Sequence, residues 1–446
     1  MKIGFSVRLN KLVSKICKLF KRNGSVYPGY IVYDIFRQKK VLEHVKYPKL
    51  VIAVTGSSGK GSTVDLINDI LTKAGLSVVY NKSGSNGVLG VTTLILNNCD
   101  NKGNFTKDVL LLECDERHLK LIFGKNKPTH LIITNITRDQ PSRNGHPDLV
   151  FKDILEAIGK DTTLILNADD PLVNSIKYTR DNKVITYGLD KSFESYTKLE
   201  NIYPDYAYCP ICHNKLNYKY YNYGHIGNYS CPKCDFKRDK VNYEVKDINY
   251  DKHSIIINKD TLHLNKDVLY AVYYTLAAYS LCNEIDIDKK VIIDSINNKQ
   301  SKRGKELTLD NRKLTMLESK NENNLSYYQS IKYITRNKDT KTVILGFDNV
   351  SRRYRFNDLS WLYDVNFELL NNDCIDKILV IGRFRYDVAT RLELAGIKDD
   401  KMILIDDFNN LLNVVKTTKG EIYTMVCFDM TENILKLIEE EKHEEV

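Results

Sequence analysis

The sequence predicts an α/β protein in three parts: a phosphate-loop central domain on a parallel sheet, a four-cysteine zinc ribbon inserted into it, and a Rossmann-like α/β C-terminal domain. Three observations lead there. Short apolar runs alternate with helical stretches from Leu50 to Tyr187 and again from Thr342 to Val426, and such alternation builds parallel sheets covered by helices. A glycine-rich loop containing a lysine joins the first strand to the first helix. Two Cys-x-x-Cys pairs stand in the one stretch, Asp205 to Asp239, where the alternation breaks.

The chain has 446 residues, too many for one ordinary core, so two or three domains are expected. The expected division is an N-terminal helical segment 1–49, a nucleotide-binding domain 50–300 with the ribbon at 205–239, and a C-terminal domain 301–446, with a linker near Ser301-Lys302-Arg303-Gly304. With 42% hydrophobic and 28% charged residues, the composition is that of a folded protein and not a disordered one. The net charge of +9 permits an anionic substrate or surface without demanding nucleic acid.

The N-terminus, Met1 to Arg22, is basic and carries Phe5, Leu9, Leu12, Ile16, Leu19 and Phe20 at helical spacing. It lacks the compact apolar core and cleavage site of a signal peptide. A basic amphipathic helix can rest on an anionic membrane; the plainer reading is a helix packed on its own domain. No run approaches the ~18 apolar residues of a membrane span. The six cysteines outside the pairs are scattered, mostly among apolar neighbours, which is the usage of a reducing compartment. A cytoplasmic protein is expected, with the inner face of the membrane as an open alternative.

Leu50–Val54 reads as the first strand and Ser62–Ala74 as its helix, with Val64, Ile67, Leu71 and Ala74 on one face and Gly75 as the stop. Further strands are expected at Val109–Leu112, Leu131–Thr134, Thr163–Leu166 and Lys183–Tyr187. Short strands return between Val241 and Leu264, and a helix is expected from about Val268 to Cys282. The C-terminal set comprises strands at Thr342–Leu345, Lys377–Ile381, Met402–Ile405 and Glu421–Val426, and a helix near Tyr386–Leu394.

The loop Gly56-Ser57-Ser58-Gly59-Lys60-Gly61-Ser62-Thr63 has the setting a phosphate site requires. Glycines let backbone N–H groups curl around an anion, and a helix N-terminus adds its positive end. Lys60 would neutralise β- and γ-phosphate oxygens of ATP, and Ser62 or Thr63 would offer a hydroxyl to Mg2+. A plain Gly-rich turn with a solvated lysine is the alternative, disfavoured by the strand before and the helix after.

Cys209-Pro-Ile-Cys212 and Cys231-Pro-Lys-Cys234 are separated by 18 residues, a spacing that suits a tetrahedral Zn2+ site. Four protein ligands leave no open position, so the expected role is structural. The lysines and tyrosines of the ribbon could meet nucleic acid; solvated lysines and strand tyrosines are the commoner arrangement, and no nucleic acid partner is expected.

These motifs and several others, taken in order, resemble the Mur ligase superfamily. A Gly follows the loop lysine, as in the TGTNGKGS form of that superfamily. Gly84-Ser85-Asn86 is similar to its GxN turn, Leu112-Glu113-Cys114-Asp115-Glu116 to the strand end that carries its metal-binding Glu, Thr134-Asn135-Ile136-Thr137-Arg138-Asp139-Gln140 to TNxxRDQ, and Leu166-Asn167-Ala168-Asp169-Asp170-Pro171 to LNADDP. The last two forms, followed by a zinc ribbon, resemble the MurT family, as do Asp358-Leu359-Ser360-Trp361 and Gly382-Arg383-Phe384-Arg385-Tyr386-Asp387.

The resemblance implies a Mur ligase-like central domain and a C-terminal domain that contacts a GatD-like class I glutamine amidotransferase. It implies ATP-dependent amidation of the D-glutamate α-carboxylate in the lipid II stem peptide, through an acyl phosphate and with ammonia from that partner. It assigns Gly56 to Thr63, Asn86 and Asn135 to the nucleotide, Ser62 and Glu113 to Mg2+, and Lys60 and Glu113 to catalysis. Asp358 becomes the carboxylate that orients the partner's catalytic His, with Asp364 as runner-up; an Asn-Asp pair before an apolar run is otherwise an ordinary turn or helix cap. About fifty residues before Leu50 are too few for a UDP-binding domain, which suits a lipid-linked substrate.

The chain also departs from the family. Tyr270 to Tyr279 stands where an FNxYN-type helix start is usual, Gly304-Lys305-Glu306 replaces GRM, and Ser351 to Phe356 replaces ADG with a cluster of arginines. A diverged, non-catalytic paralogue acting as scaffold or regulator is therefore the second reading. A folylpolyglutamate synthase-like activity is a third, disfavoured by the ribbon and by Trp361.

Overall fold

The structure, a computed structural model, describes residues 3–22, 24–82, 84–199, 205–299, 307–317, 322–348 and 357–444. The linker near Ser301-Lys302-Arg303-Gly304, the Gly304-Lys305-Glu306 match and the Ser351–Phe356 cluster lie outside the described residues. The chain forms two compact units. One comprises Met1–Thr137, His146–Leu199 and Asp205–Gln300; the other comprises Arg138–Gly145, Glu200–Pro204 and Ser301–Val446.

The first unit is built on a nine-stranded sheet. Its strands are β1 (Leu50–Thr55), β2 (Val78–Tyr80), β3 (Val109–Glu113), β4 (His130–Ile133), β5 (Thr163–Asn167) and β6 (Val184–Leu189), then β7 (Asn217–Tyr223) and β8 (Ile226–Ser230), which form a separate hairpin, and finally β9 (Tyr243–Asn249), β10 (Ser254–Ile257) and β11 (Asp260–His263). The order across the sheet is β11-β10-β9-β6-β5-β4-β1-β3-β2. The strands from β9 to β2 run parallel, and β10 and β11 add an antiparallel edge. β1 is central, with Ile52, Ala53 and Val54 fully buried, which is why it reads as an unbroken apolar run. From β1 the chain crosses to β2 on one side, and from β3 it crosses to β4 on the other. This reversal opens a crevice at the carboxyl ends of β1 and β3, where ligands of open α/β sheets bind.

The helix after β1 spans Lys60–Lys73 and starts two residues earlier than expected. Gly59, at φ +82°, turns the loop directly into the first helical turn. This helix packs on Leu269–Glu284, which is buried on nearly every side and so carries apolar and tyrosine residues all round. Sequence periodicity does not distinguish the short strand β2 or the helices Val88–Asn97, Pro147–Ala157 and Pro171–Thr179; the last two start on Pro at the first helical position.

The N-terminal helix, Ile3–Leu19, packs on Val88–Asn97. The face it turns inward is mixed, with Val7 and Cys17 buried beside Ser6, Asn10 and Ser14. Asn10 Nδ2 donates to Thr93 O (3.1 Å) and Asn97 Oδ1 (3.0 Å), and Ser14 Oγ donates to Asn97 Oδ1 (3.2 Å). Leu12, Ile16 and Leu19 are exposed.

The β7–β8 hairpin belongs to the ribbon, which is fastened to the first unit through the Asp169 carboxylate. That group is fully buried, and it accepts from Arg238 Nε (3.0 Å), Tyr273 OH (2.7 Å) and the Leu189 N–H (2.7 Å). Tyr229 OH, on β8, donates to Ala168 O (3.0 Å). Arg238 also pairs with Glu244 (2.8 Å).

The second unit has a six-stranded sheet ordered β12-β13-β17-β14-β15-β16, from β12 (Leu307–Leu309), β13 (Arg312–Leu317), β14 (Lys341–Gly346), β15 (Ile375–Ile381), β16 (Met402–Leu404) and β17 (Glu421–Val426). All pairs but β12–β13 are parallel. Trp361 is buried, its ring 5.1 Å from Tyr327 and 5.9 Å from Phe347. The Arg138–Gly145 excursion is held here by Gln140 N to Glu322 O (2.9 Å), Asn323 Nδ2 to Asp139 Oδ1 (3.1 Å) and Arg138 to Asp364 (2.6 Å).

Removing one partner of a buried ion pair strands the other charge. Arg238→Ala is therefore expected to cost about 3–5 kcal/mol in urea unfolding. Lys177→Ala, which breaks the half-exposed pair with Asp239, should cost no more than about 1 kcal/mol. Equal losses in the two variants would remove Asp169–Arg238 from its anchoring role.

Candidate functional site

The loop after β1 is shaped by contacts with the segment leaving β4. A Cβ on Gly56, at φ +127°, would lie 2.3 Å from Thr134 Oγ1 and 2.7 Å from Asn135 O, so only glycine fits. The Ser57 N–H donates to Asn135 O (2.8 Å), and the Ser58 N–H donates to Asn135 Oδ1 (3.0 Å). Thr134 Oγ1 donates to Ser58 O (2.7 Å), and Ser57 Oγ donates to Thr137 O (3.0 Å). The β4 exit is itself held by Asn167 Nδ2 on Thr134 O (2.9 Å) and by Asp170 Oδ2 on the Ile136 N–H (2.7 Å). Asp170 also caps Pro171–Thr179, accepting from the Leu172 and Val173 N–H groups (2.9 and 3.2 Å).

Lys60 is buried, and its ammonium is held by Glu116 Oε1 (2.5 Å) and by Gly56 O across the loop. Sequence reasoning misses Glu116. The available signal is the Asp-Glu pair just past β3, but the contact spans 56 positions and no local spacing announces it.

Glu113 ends β3 beside the loop. Asn86 Nδ2 donates to its Oε1 (3.0 Å), and Asn81 brackets its backbone with two bonds of 2.8 Å. A Cβ on Gly61 would come 3.2 Å from Glu113 Oε2, so glycine after the lysine leaves room for this carboxylate. Thr63 Oγ1 is turned back onto Gly59 O (2.8 Å), whereas Ser62 is exposed on the first turn. Of the two hydroxyls considered, Ser62 is the one left facing outward. Burial, and then the neighbouring carboxylates, push the Cys114 thiol well above its ordinary range, which makes it inert packing and not a nucleophile. Loop, Asn86, Glu113 and Asn135 thus come together at one end of the sheet.

Asp358 lies in the second unit, partly exposed, and its Oδ1 accepts the Ser360 N–H (2.9 Å) at the start of a short 3-10 helix, Ser360–Asp364. Asp364, the other carboxylate considered, is engaged by Arg138.

The four ribbon cysteines converge, with all sulfurs within 4.8 Å of one another. Cys209 and Cys234 Sγ are 3.7 Å apart, and Cys212 and Cys231 Sγ are 3.4 Å apart. Thiolates each about 2.3 Å from one tetrahedral zinc lie roughly 3.8 Å apart, so the set fits Zn2+. The Ile211 and Lys233 N–H groups point at Cys209 and Cys231 Sγ (3.4 Å each) and would stabilise their charge. His213, next in sequence to Cys212, is not part of the cluster.

A phosphate-type loop at the switch point of a parallel sheet, an acidic strand end beside it and a second α/β unit define a ligase architecture of the Mur type. Residues 54–230 match the family model "Mur ligase middle domain" and residues 320–429 match "MurT ligase C-terminal". The chain is 27% identical over 402 residues, 88% of each chain, to the lipid II isoglutaminyl synthase (glutamine-hydrolyzing) subunit MurT of Staphylococcus aureus, and 26% identical to that of Streptococcus pneumoniae, covering 89% of this chain and 88% of the relative. Its fold is similar to a pseudomurein peptide ligase type C from Methanothermus fervidus (TM-score 0.68, 19% identity, 90% of this chain and 80% of that one). It is also similar to MurF from Thermotoga maritima in complex with ADP (TM-score 0.59, 16% identity, 92% and 85%). The chain is a homologue of the MurT subunits and carries a Mur ligase middle domain and a MurT ligase C-terminal domain.

Metal analysis of the purified chain should find one zinc per molecule, lost in Cys231→Ser together with part of the resistance to urea. Full zinc retention in Cys231→Ser would show that the four thiols do not form the site.

Proposed function

We propose that this chain is the synthetase subunit of a glutamine-dependent ligase that amidates the D-glutamate α-carboxylate of the lipid II stem peptide. The observation that carries the reading is the convergence of Lys60, the exposed Ser62 and Glu113 at the carboxyl ends of β1 and β3. The names of the MurT relatives, which cover almost the whole chain, support the substrate and the need for a glutamine-hydrolysing partner.

In this reading the backbone N–H groups of Gly59 to Ser62, at the start of the helix, and the Lys60 ammonium bind the triphosphate of ATP, while Asn135 fixes the loop through the Ser57 and Ser58 N–H groups. Glu113 and Ser62 would hold Mg2+, which when bound offsets charge on the transferring phosphoryl group. Transfer to the glutamate carboxylate gives an acyl phosphate and ADP. Ammonia then attacks the acyl carbon, the C–O bond to phosphate breaks, and a proton leaves the nitrogen as the amide forms. The ammonia comes from a GatD-like class I amidotransferase. Asp358 would complete that partner's triad, since one of its oxygens is engaged locally and the other is available to orient a histidine.

The test begins with ATP binding by the chain in the presence of Mg2+, read by calorimetry. Lys60→Ala should weaken binding and lower turnover in the reconstituted complex by about a hundredfold or more. Asp358→Asn should leave ATP binding intact while glutamine hydrolysis by the complex falls about a thousandfold or more. Unchanged glutaminase activity in Asp358→Asn would refute the triad role. A zinc-loaded complex without ATP turnover would favour the diverged scaffold.

A further inference from the structure

The N-terminal helix carries apolar side chains on its outward face as well as on the face that meets the core. Its inward face carries Val7, which enters the core of the first unit, and Cys17, together with Ser6, Asn10 and Ser14, of which Asn10 and Ser14 are tied by hydrogen bonds to the Val88–Asn97 helix. Its outward face carries Phe5, Leu12, Ile16 and Leu19, which are 43, 56, 45 and 80% exposed. These four follow i+7, i+4 and i+3 spacing and form one stripe. The stripe continues beyond the helix, because Phe36, itself exposed, lies 6.0 Å from the Phe5 ring with exposed Ile35 beside it. Single exposed leucines need no explanation, but an aligned stripe of this length does.

The charge of the helix itself is of one sign. Arg8, Lys15, Lys18, Lys21 and Arg22 are exposed in or just after the helix, and the sequence holds no Asp or Glu before Asp34. An apolar face bordered by long cationic side chains is the pattern of a helix lying in the headgroup region of a bilayer, where lysine stems cover apolar surface and the ammonium groups reach the lipid phosphates. Among the described residues no helix is long and apolar enough to cross a membrane, so such contact would be peripheral.

We infer that the face formed by Ile3–Leu19 and the neighbouring Ile35–Phe36 is a docking surface for an anionic lipid bilayer. The inference stands on this surface alone and does not depend on the reaction proposed above, although a lipid-linked acceptor would be met at such a surface. Val7 in the core and the Asn10 and Ser14 hydrogen bonds fix the helix on its unit, so the apolar stripe is presented without prior unfolding. Each cation near an anionic surface strengthens partitioning by about fivefold, and the effect fades with salt.

The test is co-sedimentation of the full, zinc-loaded chain with vesicles of phosphatidylglycerol and phosphatidylcholine, against vesicles of phosphatidylcholine alone. No lipid-linked peptide is added, so the outcome is separate from that of the amidation assay. The chain should pellet with the anionic vesicles at low salt and be released at high salt. Lys15→Glu/Lys18→Glu should lower the partition coefficient by about 25-fold or more. Leu12→Ser/Ile16→Ser should abolish binding with an unchanged urea midpoint, because both side chains are exposed. Failure of the parent chain to pellet, or equal binding by both variants, overturns the inference. A dimer in sedimentation velocity that Leu12→Ser/Ile16→Ser dissolves, with no vesicle binding, assigns the stripe to a second copy of the chain and equally overturns it.

Discussion

The nucleotide end of the first unit depends on one close approach, that of the Gly56 backbone to the exit of β4. With Thr134 Oγ1 and Asn135 O occupying the space a Cβ would need, only glycine lets the loop pass this close, and the Ser57 and Ser58 N–H groups that follow are fixed on Asn135. Backbone donors taken from water need acceptors. Here the Asn135 amide accepts from Ser58, and Lys60 is neutralised by Glu116, so the loop is held in its shape before any phosphate arrives. Preorganisation of this kind lets binding energy go into contacts with the ligand instead of into ordering the loop.

The same exit segment links the loop to the ribbon. Asn167 and Asp170 hold Thr134 and Ile136, while Asp169, between them in sequence, turns the other way to Arg238 and Tyr273. Burial and the Asp169 charge push the Tyr273 hydroxyl well above its ordinary value, so it remains a donor to that carboxylate. Three polar positions within one turn thus secure two structures that sit far apart in sequence. The ribbon's own apolar centre is small: Leu216, Tyr229 and Phe236 packed with the cysteines. A core of that size cannot offset the entropy of ordering the segment, and four thiolates closed on a metal would supply what is missing. The ribbon then presents Arg238 and Tyr229 at fixed positions against the LNADDP turn.

What can be read from the sequence follows the range of the interactions. Strands of the parallel sheet are legible because both faces are buried and the runs are apolar throughout, and the phosphate loop because glycine, lysine and helix start lie within eight positions. The cysteine pairs are legible because metal ligation fixes both residue type and spacing. Glu116 is not, since its meaning comes from Lys60, which is distant in sequence and adjacent in space. The choice between Ser62 and Thr63 is open in the sequence for a related reason: only the backbone path shows that the Thr63 hydroxyl bends back to Gly59. Asp358 illustrates the opposite case. Its local geometry is that of the ordinary turn residue the sequence alone suggests, and any further role depends on a second protein.

The N-terminal helix shows where periodicity stops being informative. Spacing establishes that a helix has an apolar face, but not which way the face points, because direction is decided by what the neighbouring element offers. The Val88–Asn97 helix offers Thr93 O and the Asn97 amide, and unpaired groups of this kind would be expensive to bury against leucine. Asn10 and Ser14 satisfy them, and once these two residues are inward, helical geometry forces positions 12, 16 and 19 outward. The exposed stripe is therefore a consequence of what the opposite side of the helix makes: the Asn10 and Ser14 hydrogen bonds and the burial of Val7. It would persist in any variant that keeps Asn10 and Ser14, whatever apolar residues fill the outer positions.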